Sequence, residues 1–131
     1  MNSINKDIIN LWNKYFHDDE KVYGPLFYNK FKTNGIVFVG INPSFSEHAQ
    51  RHIFKDSELG TRNADEFFKW KNIYNNPKNI ELCLEGEKLA HEKHSYFRPS
   101  RNIAESLGVP YEHVDLFLYK LTSQEEFKKL I

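Results

Sequence analysis

Two stretches carry the residue types from which chemistry could be built. The first is Gly40-Ile41-Asn42-Pro43-Ser44-Phe45, which follows directly on the apolar run Ile36-Val37-Phe38-Val39. A short run rich in β-branched residues reads as a strand buried on both faces, as in a parallel sheet. Gly40 ends it and permits a close backbone approach. Pro43 biases Asn42 toward an extended backbone and fixes the turn. In open α/β sheets ligands bind beyond the carboxyl ends of the strands, which is where this loop begins. Asn42 then has two readings, a polar group presented to a ligand or a turn residue bonding its own backbone.

The second stretch runs from His91 to Asp115 and holds His91, His94, Arg98, Arg101 and Asp115. Arg98 and Arg101 flank Ser100, a candidate N-cap, where a phosphate would be met by charge and by free backbone N–H groups. Asp115 is either a functional carboxylate or a capping or buried structural one. The pairs His48/His52 and His91/His94 are four and three residues apart, spacings that place two imidazoles on one helical face. No carboxylate completes an HExxH-type motif, so no metal site is expected. His94 contacts a phosphate or ligand, or is solvated. Cys83, the only cysteine, reads as a small packed hydrophobe, and no internal disulfide or four-cysteine cluster can form.

The elements that must position these residues follow from periodicity. Ile4, Ile8, Leu11, Trp12 and Tyr15 predict an amphipathic helix over 4–16, capped by Ser3 and covering the sheet. Gly24-Pro25 marks a turn in 17–34, whose aromatics predict that the segment packs down. Residues 46–63 show no period. A helix is expected over 64–74, with Phe67, Phe68 and Trp70 inward and Asn75-Asn76-Pro77 as its stop. Another is expected near 78–93, with Ile80, Cys83, Leu84 and Leu89 inward. A third starts at Ser100, buries Ile103, Ala104 and Leu107, and ends at Gly108. Residues 113–119, HVDLFLY, predict a second strand, and Thr122 with Glu125 a capping box opening a last helix.

Composition narrows the class. The chain has 131 residues, 40% hydrophobic and 15% aromatic, which excludes disorder and fits one domain over 1–131. Eighteen basic and eighteen acidic side chains cancel, which weighs against a nucleic-acid backbone as partner unless the charge is local. No apolar run approaches the roughly 20 residues of a membrane span, and the N-terminus has no signal-like core. A cytoplasmic protein without a membrane partner is expected.

GINPS after a buried strand resembles the first active-site motif of the uracil-DNA glycosylase superfamily, whose mismatch-specific branch carries GINPG. Residues 96–124, YFRPSRNIAESLGVPYEHVDLFLYKLTSQ, resemble the helix, second strand and following loop of uracil-DNA-glycosylase-like bacterial proteins. The resemblance spans roughly 35–131; only GINPS is motif-grade. It implies an α/β fold, a three-layer αβα sandwich with a short parallel sheet, and no metal or other cofactor. It implies as partner DNA containing uracil or a mismatched base. Asn42 then stands where the superfamily positions its hydrolytic water. An amide can orient water without deprotonating it, which suffices for an oxocarbenium-like sugar. Gly40, Ile41, Pro43, Ser44 and Phe45 would line the base site, Phe45 by stacking. Ser44 departs from the glycine and tyrosine found there in two branches, which leaves substrate choice open.

The superfamily's second Pro-Ser motif has no counterpart after the second strand. The expectation is a shortened domain that excises uracil poorly or not at all and self-associates through an open sheet edge. The alternative is a non-catalytic α/β protein using the same crevice for a small ligand or a partner. GINPS and the 96–124 resemblance favour a DNA base-excision hydrolase; zero net charge and the missing motif favour the binding protein.

Overall fold

The computed structural model describes residues 2–40 and 51–115. In chain order the main elements are α1 (Ser3–Phe16), β1 (Ile36–Gly40), α2 (Ala64–Phe67), α3 (Trp70–Ile73), α4 (Pro77–Lys93), α5 (Arg98–Leu107) and β2 (Tyr111–Asp115). Short 3-10 turns occupy Glu58–Thr61 and Ser95–Phe97. The chain is mixed helix and strand, and among the described residues its sheet has two strands. β1 and β2 pair in parallel, Ile36 opposite Tyr111 through to Gly40 opposite Asp115.

The parallel pair matches the expectation, but its burial does not. Val37 and Val39 are 59% and 61% exposed, while Phe38 is half-buried. Strand side chains alternate between faces. One face, carrying Phe38, Gly40, His113 and Asp115, packs on the protein, and the other is open among the described residues. The second strand begins at Tyr111, two residues earlier than expected; positions 116–119 lie outside the described residues, as does the Thr122/Glu125 capping box.

The main core lies beside the sheet. It gathers Trp12, Phe27, Phe54, Trp70, Ile73, Ile80 and Cys83 from α1, the 22–28 segment, residues 51–54 and α3–α4. α1 docks on that segment rather than lying on the sheet. Its cap is Asn2, whose side chain accepts from the Asn5 N–H at 2.9 Å, and not Ser3. Its buried positions are Asn5, Ile8 and Trp12, whereas Ile4, Leu11 and Tyr15 are exposed. Asn5 wins a core position because its amide closes both hydrogen bonds of one backbone residue. Nδ2 donates to the Tyr28 carbonyl at 2.8 Å and Oδ1 accepts from the Tyr28 N–H at 2.9 Å. The Trp12 indole donates to the Tyr23 carbonyl at 3.0 Å. The 17–34 segment packs down as expected, with Val22, Leu26 and Phe27 buried.

The single helix expected over 64–74 is two. Gly24 N–H donates to the Phe68 carbonyl at 2.7 Å and Trp70 N–H to the Val22 carbonyl at 2.9 Å. This pairing holds Lys69 extended, with φ −65° and ψ 137°, and interrupts the helix. Phe67, Phe68 and Trp70 are buried nonetheless. Asn75 takes a positive φ of 55°, Asn76 caps α4 through its side chain, and Pro77 opens it. This end follows the general preference for Asn in left-handed and capping positions and Pro in a first turn. Ile80 and Cys83 are buried, and Leu84 and Leu89 pack against the core.

α5 starts earlier than expected. Its N-cap position is Phe97, Pro99 lies in its first turn, and Ser100 sits inside the helix rather than capping it. Ala104 is buried, but Ile103 and Leu107 are 47% and 63% exposed. Gly108 ends the helix with a left-handed φ of 66°, the conformation that favours glycine there. No helix among the described residues is long and apolar enough to cross a membrane.

Candidate functional site at the carboxyl ends of the paired strands

His113 and Asp115 are two apart on β2, so both side chains fall on the covered face. They touch each other: His113 Nε2 lies 3.3 Å from Asp115 Oδ1, and the two side chains are 8% and 6% exposed. The register places Gly40 opposite Asp115. A Cβ at Gly40 would lie 2.9 Å from His113 Nε2 and would also collide with the Asp115 carboxylate. The missing side chain of Gly40 is therefore the space in which the imidazole and carboxylate meet. What lies close to Gly40 in the structure is this internal side-chain pair. Asp115 is further held by its own N–H, which donates to the Tyr28 hydroxyl at 3.4 Å. Burial raises the pKa of that phenol, so it remains protonated.

Aromatic rings wall the pair. The His113 ring meets Phe97 at 5.0 Å and Tyr96 at 5.8 Å, both edge-on. His91 lies 6.3 Å from His113 and 4.7 Å from Phe97. Burial, then the neighbouring His113 and Lys32, push the His91 imidazole down to about 4, so it is neutral at physiological pH. Behind this wall lies a cavity of about 480 Å³ between the 26–32 segment, the C-terminal half of α4 and β2.

Arg101 turns inward. Its Nη1 donates to the carbonyls of His91 at 2.8 Å and His94 at 2.9 Å, taking up carbonyls at the end of α4. Such satisfaction of terminal carbonyls by a cation also favours the helix dipole. Arg98 is exposed in the first turn of α5. The two arginines, three residues apart, are thus differently engaged. His91 and His94 do not act as a pair either. His94 lies just past the helix, and its Nδ1 accepts from the Tyr96 N–H at 3.0 Å. Among the described residues no group of three metal-ligating side chains converges.

Of the GINPS loop, Gly40 is described; Ile41, Asn42, Pro43, Ser44 and Phe45 lie outside the described residues, as does His48. The structure brings Gly40 together with Asp115 and adds His113, Tyr28 and His91, which sequence reasoning did not connect to the loop. The signal for His113 was present: in HVD a strand places residues 113 and 115 on one face. Nothing in the sequence marked Tyr28, which reaches β2 from 87 residues away in the chain. No family model, curated protein or solved structure matches the chain.

Proposed function

We propose that this chain is a uracil-DNA-glycosylase-like hydrolase of N-glycosidic bonds, acting on uracil or a mismatched base in DNA, with its site beyond Gly40 and Asp115. The observation that supports this reading most is the parallel register of β1 and β2, which sets the start of the GINPS loop beside a buried carboxylate–imidazole pair. Parallel strands place their carboxyl ends together, and that is where α/β proteins bind ligands. In this reading Asn42 orients the hydrolytic water. Gly40, Ile41, Pro43, Ser44 and Phe45 shape the base site, and Arg98 meets a phosphate. Arg101 fixes the α4–α5 corner that carries Arg98. Asp115 and His113 are positioning residues: they fill the space beside Gly40, the residue at which the loop begins. The fuller fold in this proposal is a three-layer αβα sandwich. Its open strand face, with Val37 and Val39 exposed, is the surface for self-association.

The test is single-turnover release of uracil from single- and double-stranded DNA with protein in excess. The expected result is slow release that Asn42→Ala slows by a further ~10²-fold, the scale of losing one preorganised group. Release at the same rate from Asn42→Ala returns that residue to a turn role. The 480 Å³ cavity favours the second reading, a non-catalytic α/β protein that binds a small molecule.

A further inference from the structure

The apolar arc of α1 is wider than the core uses. Asn5, Ile8 and Trp12 lie on one side of the helix and are buried. Ile4, Leu11 and Tyr15 stand at i, i+7 and i+11, within about 40° of one another at about 100° per residue, and form one stripe along the helix. The stripe adjoins the buried side, yet its members are 41%, 46% and 64% exposed. Single exposed apolar residues are normal on a surface; three aligned on one helix edge form a patch. Two charges border the stripe on its solvent side. Asp7 and Lys14 are seven residues apart, so they lie on one line, about 10 Å from each other along the axis. Both are exposed, and neither has an ion-pair partner among the described residues. Lys14 Nζ leans over the stripe, 5.4 Å from the centre of the Tyr15 ring.

We propose that this stripe docks on the same stripe of a second copy of the chain, with the two α1 helices antiparallel. Opposite charges on one flank are self-complementary under a two-fold axis. In an antiparallel pair that axis runs across the helices, so the same flank of both lies on the same side of the contact. With the axis midway between residues 7 and 14, Asp7 meets the partner's Lys14, and Lys14 meets the partner's Asp7. Leu11 then lies beside the axis and packs on the partner's Leu11. Ile4 falls against the partner's Tyr15 with an axial offset of about 3 Å. A parallel two-fold pair would put the charged flanks on opposite sides of the contact and leave both charges unpaired. A contact confined to a 14-residue helix belongs with the small interfaces, below about 1,200 Å², of weak and reversible complexes. This surface is separate from the open strand face of Val37 and Val39, and it is independent of glycosylase activity.

The experiment is sedimentation equilibrium of the full chain at low salt, from about 0.01 to 1 mM, a window suited to a small interface. The background is Val37→Thr/Val39→Thr, in which association through the strand face is suppressed and the α1 dimer remains. The expected result is a monomer–dimer equilibrium. Asp7→Lys should raise its Kd about tenfold, because two symmetry-related pairs turn from attraction to repulsion. Adding Lys14→Asp to Asp7→Lys reverses both pairs and should restore the Kd to within about twofold. Added salt should weaken the dimer of the background protein and strengthen that of Asp7→Lys, since exposed charges are screened. Leu11→Asp puts a charge beside the axis and should abolish the dimer. All three α1 positions are exposed, so the variants keep the fold, which circular dichroism checks. A monomer at every concentration, an Asp7→Lys or Leu11→Asp dimer as tight as the background, or a double charge variant no tighter than Asp7→Lys would each overturn the proposal.

Discussion

Replacing Gly40 by alanine places a methyl group where His113 and Asp115 meet. The new Cβ would stand 2.9 Å from His113 Nε2 and 3.2 Å from His113 Cε1, and would collide with Asp115 Oδ1. The backbone has no need to move, because the carboxylate is the end of a side chain and can rotate away. What is lost is then the imidazole–carboxylate contact, in a place where both groups are nearly inaccessible. A hydrogen bond to a charged group contributes about 1.5–3 kcal/mol. Against this, alanine is favoured over glycine in a strand interior by roughly 0.5–1 kcal/mol. The net expectation for Gly40→Ala is a loss of about 1–2 kcal/mol. Asp115→Ala removes the group that collides, so adding Gly40→Ala to that background should cost less than half as much. The assay is urea unfolding followed by the fluorescence of Trp12 and Trp70, both buried, for the parent, the two single variants and the double variant. Equal cost in both backgrounds, or a Gly40→Ala protein as stable as its parent, would refute the reasoning.

Three further outcomes follow from the structure. His91 has its folded pKa lowered from 6.5 to about 4, chiefly by burial. The unfolded chain therefore takes up the proton first as pH falls, so this contribution is complete above about pH 6.5 and is lost progressively down to about pH 4. It amounts to roughly 3 kcal/mol, and His91→Phe should flatten the stability–pH curve in that window, measured by urea unfolding at stepped pH. Asn5→Leu keeps the branched shape but strands the Tyr28 N–H and leaves its carbonyl with the Asn2 donor alone, and should lower stability by about 1–3 kcal/mol in the same assay, whereas a loss under about 0.5 kcal/mol would contradict the role of the amide. The exposed Val37 and Val39 predict concentration-dependent association in sedimentation velocity, suppressed in Val37→Thr/Val39→Thr; a monomer at all concentrations in the parent would remove the proposed self-association surface.

The sequence was legible where one local signal dominated. The β-branched run 36–39, the Asn75-Asn76-Pro77 stop and the Gly108 terminus each have a short-range cause, and each is found where expected. Hydrophobic type alone misled on helix faces: Ile4, Leu11 and Tyr15 are out, and Asn5 is in, because Asn5 satisfies a backbone residue 23 positions away. The split between α2 and α3 arises from pairing with residues 22–24, which no window over 64–74 contains. The loss of a Ser100 cap reflects Pro99, which suits a first turn and draws the helix start back to Arg98. At the candidate site Gly40 and Asp115 were readable separately. Their juxtaposition needed the register of a parallel pair formed across 75 residues of chain.

The central proposal is that the carboxyl ends of β1 and β2 form a working site to which Asp115 contributes as a positioning residue. The most direct measurement is the single-turnover rate of uracil release by the parent protein, by Asp115→Asn and by Tyr15→Ala, each first shown to be folded by circular dichroism. Asp115→Asn preserves shape but replaces the carboxylate that faces His113 Nε2, while Tyr15 is an exposed ring on α1. The account predicts release that is about tenfold slower in Asp115→Asn, one charged contact's worth, and unchanged in Tyr15→Ala. No release by the parent protein, or equal rates in the parent and Asp115→Asn, would contradict it.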